Sequence, residues 1–468
     1  MLAIHLRGAS LRDRITRREV LRLGGLSAFG LSMSQVLAAA PTPVGRVPSR
    51  SGTGRARACI VLWMTGGPPQ HETWDPKPDA PAEIRGPFGS IATNVPGIRV
   101  GELMPRTARM AHRLCILRAV HTDNPSHPGS SYEMLTGVDH PRGKGRDDIE
   151  ASRNDWPSLS AVVKRFKPSV RGTPTAVVLP EPIFNVPFYP GQDAGFLGPD
   201  AEPWRVSCDP SAANFTIGEL TMPVDVSLAR LGGRHGLLDA VGRRLDAAQR
   251  GPAEARHDRF TAEAFALISG NRVRTAFDLG REPPAVRDRY GRHKFGQGCL
   301  LARRLIEAGV TFVQLNWHRD TGDETPMWDF HWRLEENLKA KVPPMDQGYT
   351  ALLEDLDGRG LLSETLVVWV GEFGRTPKLE YIKPHPQPGR NHWGHCFSMA
   401  LAGAGVRGGQ VYGVSDKDGG HPRSDAVTPA DLTATLFSAL GLSPDTEIRD
   451  RLGRPHPISR GRVLTRLW

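Results

Sequence analysis

The sequence predicts an α/β fold built on a doubly wound, mainly parallel sheet with helices on both faces. Three observations carry that reading. The runs Ala58–Met64 (ACIVLWM), Leu114–Val120 (LCILRAV), Thr175–Leu179, Val310–Trp317 (VTFVQLNW) and Leu366–Val370 are apolar with little alternation, the pattern of strands buried on both faces. Helical patterns separate them, as parallel neighbours require. Polar loops rich in histidine and carboxylate follow most of these strands, where ligand sites form in open α/β sheets.

The elements follow in order. Thr16–Pro41 (TRREVLRLGGLSAFGLSMSQVLAAAP) reads as a twin-arginine export signal: Arg17-Arg18 precedes a mildly apolar stretch, and alanines 38–40 supply small residues for cleavage. Leu23–Leu37 is too short and polar for a transmembrane helix, so no stable membrane anchor is expected. The predicted location is periplasmic or secreted. Residues 41–57 form a Pro/Ser/Gly/Arg linker, and 58–468 a single domain. Within it, Glu102–Arg113 reads as an amphipathic helix, Tyr132–Gly137 as a helix stopped by glycine, and Pro180–Pro210 as loop. A layer of Arg/Ala/Leu-rich helices spans about 226–309. Leu334–Gly360 is a long helix feeding the central strand, and Cys396–Ala402 is a further strand candidate. Thr428-Pro429-Ala430-Asp431 gives an N-cap, a first-turn proline and an early carboxylate for a last helix ending at Gly441.

Composition excludes several classes. With 39% hydrophobic and 24% charged residues the chain is globular. The net charge of +10 falls to +6 without the arginine-rich first forty residues and is not concentrated in a run, so nucleic acid is not an expected partner. Five cysteines form no C-x-x-C pair and read as buried thiols.

Four clusters share one place, directly after a predicted strand: His71/Glu72/Asp75, His121/Asp123/Ser126/His127, His318/Asp320/Asp329/His331 and Glu372/His392/His395. Strand carboxyl ends gather on one edge of a parallel sheet, so segments distant in sequence converge there. Imidazole with carboxylate is a ligand set for a divalent ion such as zinc, manganese or iron.

The segments ACIVLWMTGGPPQHETWDPKPDAPAEIRGPF, GRHKFGQGCLLARRLIEAGVTFVQLNW, WDFHWRLEENL, LVVWVGEFGRTPK, GRNHWGH and GGQVYGVSDKDG resemble the DUF1501 family, exported bacterial proteins related to sulfatases and, more distantly, alkaline phosphatases. The resemblance covers nearly all of the chain beyond the linker. It implies an alkaline-phosphatase-like fold and leaves the substrate undefined. By the pattern of that superfamily, Leu135-Thr136-Gly137 resembles a Leu-Thr-Gly stretch that puts His127 at the nucleophile position, with Ser126, Ser130 and Ser131 as neighbouring alternatives. Asp329 and His331 resemble its Asp/His ligands, and His392 or His395 its last histidine. Glu372 takes the place of an aspartate whose companion histidine is here Phe373. Gly66-Gly67 replaces an acidic ligand after the first strand, leaving His71, Glu72 or Asp75 as substitutes. No C/S-x-P-x-R signature is present.

The resulting expectation is a metal-dependent hydrolase of phosphate or sulfate esters. Asp329, His331, Glu372, His392 and His395 would hold the ion, His127 and His71 would serve catalysis, and Arg375 and Arg390 would bind the anion of a small-molecule or glycan ester. The alternative is a binding protein on a scaffold that lost its nucleophile.

Overall fold

The computed structural model describes residues 5–6, 9–10 and 54–468, except 168, 170–171, 185–188, 221–226, 228, 231, 235, 238–251 and 318–326. The twin-arginine segment, most of the linker, the loop positions His318 and Asp320 and part of the helical layer lie outside the described residues. Residues 1–50 form a unit of their own, of which only the antiparallel pairing of His5–Leu6 with Ala9–Ser10 is described.

The second unit is organised on one eight-stranded sheet. Its strands, in chain order, are β1 (Ala58–Trp63), β2 (Leu114–Val120), β3 (Ala176–Leu179), β4 (Trp204–Arg205), β5 (Phe312–Asn316), β6 (Thr365–Val370), β7 (Phe397–Ala402) and β8 (Gln410–Tyr412). They lie in the order β8-β2-β7-β6-β1-β5-β3-β4. Every strand runs the same way except β7, which is antiparallel to both β6 and β2.

The unalternating apolar runs are explained by two cores. Ile60, Leu62, Val367 and Trp369 face one, while Cys59, Val61, Trp63, Leu366, Val368 and Val370 face the other. The five helices that matter here are α1 (His127–Thr136), α2 (Leu159–Phe166), α3 (Lys294–Ala308), α4 (Leu334–Gly358) and α5 (Pro429–Ala439). α3 and α4 cover the first core; α1, α2 and α5 contribute to the second. Each fully buried Leu, Ile or Val in these layers contributes roughly 1.5–3 kcal/mol relative to exposure. α5 begins with the reciprocal cap between Thr428 and Asp431, and α1 ends on Gly137 at φ 77°.

Two local expectations are corrected. Glu102–Arg113 is not one helix: Pro105 starts a single turn to Ala108, and a separate 3₁₀ turn covers Ala111–Arg113. The Pro180–Pro210 loop contains β4, a two-residue edge strand too short to announce itself in the sequence. Among the described residues no helix is long and apolar enough to cross a membrane.

Register brings the strand ends level, with Val370 beside Trp63 and Trp63 beside Asn316. The segments beginning at Met64, Trp317 and Gly371 therefore emerge together. Because β7 is reversed, the chain leaving β6 returns to the sheet on the same edge, and residues 371–396 stay there.

Candidate metal centre

Four side chains meet at this edge. Asp329 Oδ1 lies 2.9 Å from His331 Nε2, 3.1 Å from His392 Nε2 and 3.3 Å from His127 Nε2. The two nitrogens of His331 and His392 are themselves 2.9 Å apart. Three local devices make the meeting possible. Ser126 caps α1 and sets His127 at its first position. Trp328 N–H donates to Thr65 O at 2.9 Å, drawing the segment before Asp329 over the end of β1. Gly66, at φ 113°, passes so close that a Cβ there would stand 2.7 Å from the backbone nitrogens of Trp328 and Asp329. Gly389 does the same against His331, where a Cβ would come within 2.1 Å of the backbone carbonyl carbon, and this seats His392 beside that ring.

Each histidine is held by its other nitrogen. His127 Nδ1 lies 2.8 Å from Glu372 Oε1, His331 Nδ1 2.7 Å from Asn391 Oδ1, and His392 Nδ1 2.8 Å from the carbonyl of Pro125. A carboxylate and a carbonyl only accept. Asn391 presents its oxygen because its Nδ2 donates to Glu380. All three rings thus carry a proton on Nδ1 and, when neutral, turn a bare Nε2 toward Asp329. Two bare nitrogens at 2.9 Å repel unless a proton or cation lies between them. Tetrahedral zinc with bonds of about 2.0–2.1 Å separates its ligands by roughly 3.3 Å, slightly more than the spacings here, so the donor set fits a divalent ion with little movement. The outer partners are those that orient metal-bound histidine. His127, Asp329 and His392 form the only compact metal-competent group of three among the described residues; the distances given above add His331.

Charge is distributed accordingly. Burial would raise the Asp329 carboxyl, but the Arg375 guanidinium and the three imidazoles hold it well below the usual carboxylate range. Burial also works against charging His127, yet the Asp329 and Glu372 carboxylates lift that ring to about 9. For His392 burial wins, aided by Arg375 and His127, and the ring falls to about 4. Without an ion, the proton shared by the cluster resides on His127.

Glu372 stands behind the donors. Its Oε1 accepts from His127 Nδ1 and from Gly66 N–H at 2.7 Å, while its buried Oε2 has no hydrogen-bond partner. The Phe373 ring packs 4.8 Å from His127 and 4.6 Å from His392, an apolar wall that fixes both rings. Ser130 is committed to Glu372 O and Thr122, and Ser126 to Arg146 O and its cap, so neither is a free nucleophile.

The remaining expected residues are placed elsewhere. His71 is buried, with Nε2 2.7 Å from Asp418 O, and is outside the cluster. His395 is exposed and pairs with Asp123 at 3.1 Å. Arg375 and Arg390, expected to meet an anionic ester, are both fully buried and committed to protein oxygens. Arg390 binds Glu72 Oε1 through Nε and Nη2, together with the carbonyls of Thr376, Pro377 and Ile84. Arg375 binds Asp329 and the carbonyls of Gly66, Gly67 and Arg390. Sequence reasoning missed Asn391 as a partner of His331, although it sits between Arg390 and His392 in the GRNHW segment.

Residues 56–468 match the profile of the family described as "Protein of unknown function (DUF1501)". The chain belongs to the DUF1501 family. No curated protein matches the chain at a significant level. Solved structures similar to this DUF1501 chain include the PsFucS1 sulfatase from Pseudoalteromonas sp. (12% identity, 90% of this chain and 70% of that one, TM-score 0.40). Others are the lipoteichoic acid synthase LtaP from Listeria monocytogenes (10%, 88% and 78%, 0.40) and an alkaline phosphatase superfamily protein from Vibrio parahaemolyticus (10%, 84% and 68%, 0.37). Likeness at this level assigns no activity.

Proposed function

We propose that this DUF1501 protein is a metal-dependent hydrolase of phosphate or sulfate esters, exported by the twin-arginine route, with an alkaline-phosphatase-like domain over residues 58–468. The observation that carries the reading is the common orientation of His127, His331 and His392: each Nδ1–H is tied to an acceptor and each Nε2 faces Asp329. Asp329, His331 and His392 would hold the ion, with His127 as fourth donor and Glu372 fixing its ring. When bound, a divalent ion supplies Lewis acidity toward an ester oxygen and an activated water.

This chain's own residues do the rest. Glu372 keeps the His127 proton on Nδ1, leaving Nε2 free to coordinate or to take a proton. Phe373 and the rings around it keep bulk water from the back of the site. With Ser126 and Ser130 committed, attack by water is favoured over a covalent seryl intermediate. The same commitment favours the second reading, a binding protein for an anionic small-molecule or glycan ester.

The test is metal analysis of the purified protein together with assays on aryl phosphate and aryl sulfate esters. Bound divalent ion with ion-dependent turnover supports the hydrolase. Bound ion without turnover of either ester supports the binding protein. A protein that takes up no divalent ion refutes both as built on this centre.

A further inference from the structure

We infer that the centre takes one divalent ion and no more, because the Arg375 guanidinium occupies the place beside Asp329 that a second cation would need. This rests on the metal-centre reading above and adds its stoichiometry. The argument begins with what surrounds the guanidinium. Its Nε donates to Gly67 O at 2.9 Å and its Nη1 to Arg390 O at 3.1 Å, while Nη2 donates to Gly66 O and to Asp329 Oδ1. Three carbonyls and a carboxylate oxygen are the hard ligands that a calcium or magnesium ion takes. Here a side chain of the protein already fills that cage.

Arg375 is also fixed. Its N–H donates to Gln70 Oε1 at 2.9 Å and its carbonyl accepts from Gln70 Nε2 at 2.8 Å. Gly374–Arg375 pairs as a short ribbon with His392–Trp393, which sets Arg375 opposite His392. The side chain is fully buried, so it has no open route by which to swing into solvent.

The oxygen that meets Arg375, Asp329 Oδ1, is the one that faces the three imidazole nitrogens. In two-metal sites the ions lie about 3.5–4 Å apart and share bridging ligands. A guanidinium at hydrogen-bond distance from the shared oxygen holds that second position as a permanent single positive charge. Formal charge agrees. Asp329 and Glu372 against Arg375 leave −1 with neutral rings; one divalent ion brings the site to +1, suited to an anionic ester. A second ion would leave +3 in a buried cavity, at a high desolvation cost.

The experiment counts ions. The full chain is stripped with chelator, reloaded with zinc, freed of loosely held ion on a desalting column and analysed for zinc per chain, beside Arg375→Ala and Arg375→Lys. One zinc in the wild type and in Arg375→Lys, rising toward two in a folded Arg375→Ala protein, is expected. Two in the wild type overturns the inference and leaves the metal centre standing, whereas none overturns the metal centre itself. A folded Arg375→Ala protein that stays at one overturns Arg375 as the blocking group. If neither Arg375 variant folds by circular dichroism, the wild-type count decides alone.

Discussion

Replacing Glu372 with glutamine tests whether that residue orients a ligand or is one. The carboxylate takes two N–H groups on one oxygen, from His127 and Gly66, and leaves its second oxygen buried and unpartnered. Glutamine keeps one acceptor oxygen but turns a charge-assisted bond to His127 into a neutral one. Hydrogen bonds to charged groups contribute about 1.5–3 kcal/mol against about 0.5–1.5 for neutral ones, so His127 loses roughly 1–2 kcal/mol of orientation. The buried amide also gains an unsatisfied donor where Oε2 was. Loss of an outer partner typically weakens metal binding about 10–100-fold, and tenfold corresponds to about 1.4 kcal/mol, so the two estimates meet near the lower end. Competition titration of zinc against a chromophoric chelator measures the effect, with circular dichroism confirming the fold. An affinity within threefold of wild type would refute the orienting role. Complete loss of binding in a folded variant would instead make Glu372 a direct ligand.

Three further outcomes follow from the same structure. Burial raises the Glu133 carboxyl to about 7 from an ordinary 4.5, against the Asn124 hydrogen bond and the Lys144 charge. Its native form therefore holds a proton that the unfolded chain has released. Stability should fall as pH rises from 4.5 to 7 and level off above, by up to roughly 3 kcal/mol, and a urea series should show that slope flattened in Glu133→Gln. Arg390→Met strands Glu72, its fully buried partner at 2.6 Å, and should cost about 3–5 kcal/mol; a thermal midpoint within 2 °C of wild type would contradict this. Changing Arg17 and Arg18 together to lysine should retain the protein in the cytoplasm on fractionation, and normal export of that variant would rule out twin-arginine recognition.

Much of the sheet was legible because a strand buried on both faces has no polar alternation, which Leu366–Val370 displays plainly. The direction of β7 was not legible: Phe397–Ala402 is equally apolar read either way, and only the pairing with Val367–Trp369 reveals the reversal. The gathering of Asp329, His331 and His392 follows from the rule that strand ends collect on one edge. The parting of His71 and His395 from them does not, since neighbours in sequence at a strand end can face opposite sides of a loop. The arginines show the sharper limit. Nothing in the one-letter code of Arg375 or Arg390 distinguishes a guanidinium open to an anion from one enclosed by carbonyls, because enclosure depends on the turn at Gly66-Gly67 and the segment before Asp329 folding over it.

The reversal of β7 has a mechanical meaning. Residues 371–396 are tethered at both ends to adjacent strands, so a backbone cut inside the segment does not free either side. Tyr381, 72% exposed, marks an accessible place for such a cut. Scission there would leave Arg375 carried by β6 and His392 carried by β7, still facing each other across the short ribbon that pairs them. The protein is in this sense pre-spliced: the two halves of its centre hang from separate anchors, and the peptide between them can be broken, lengthened or replaced while the strands keep the donors in place.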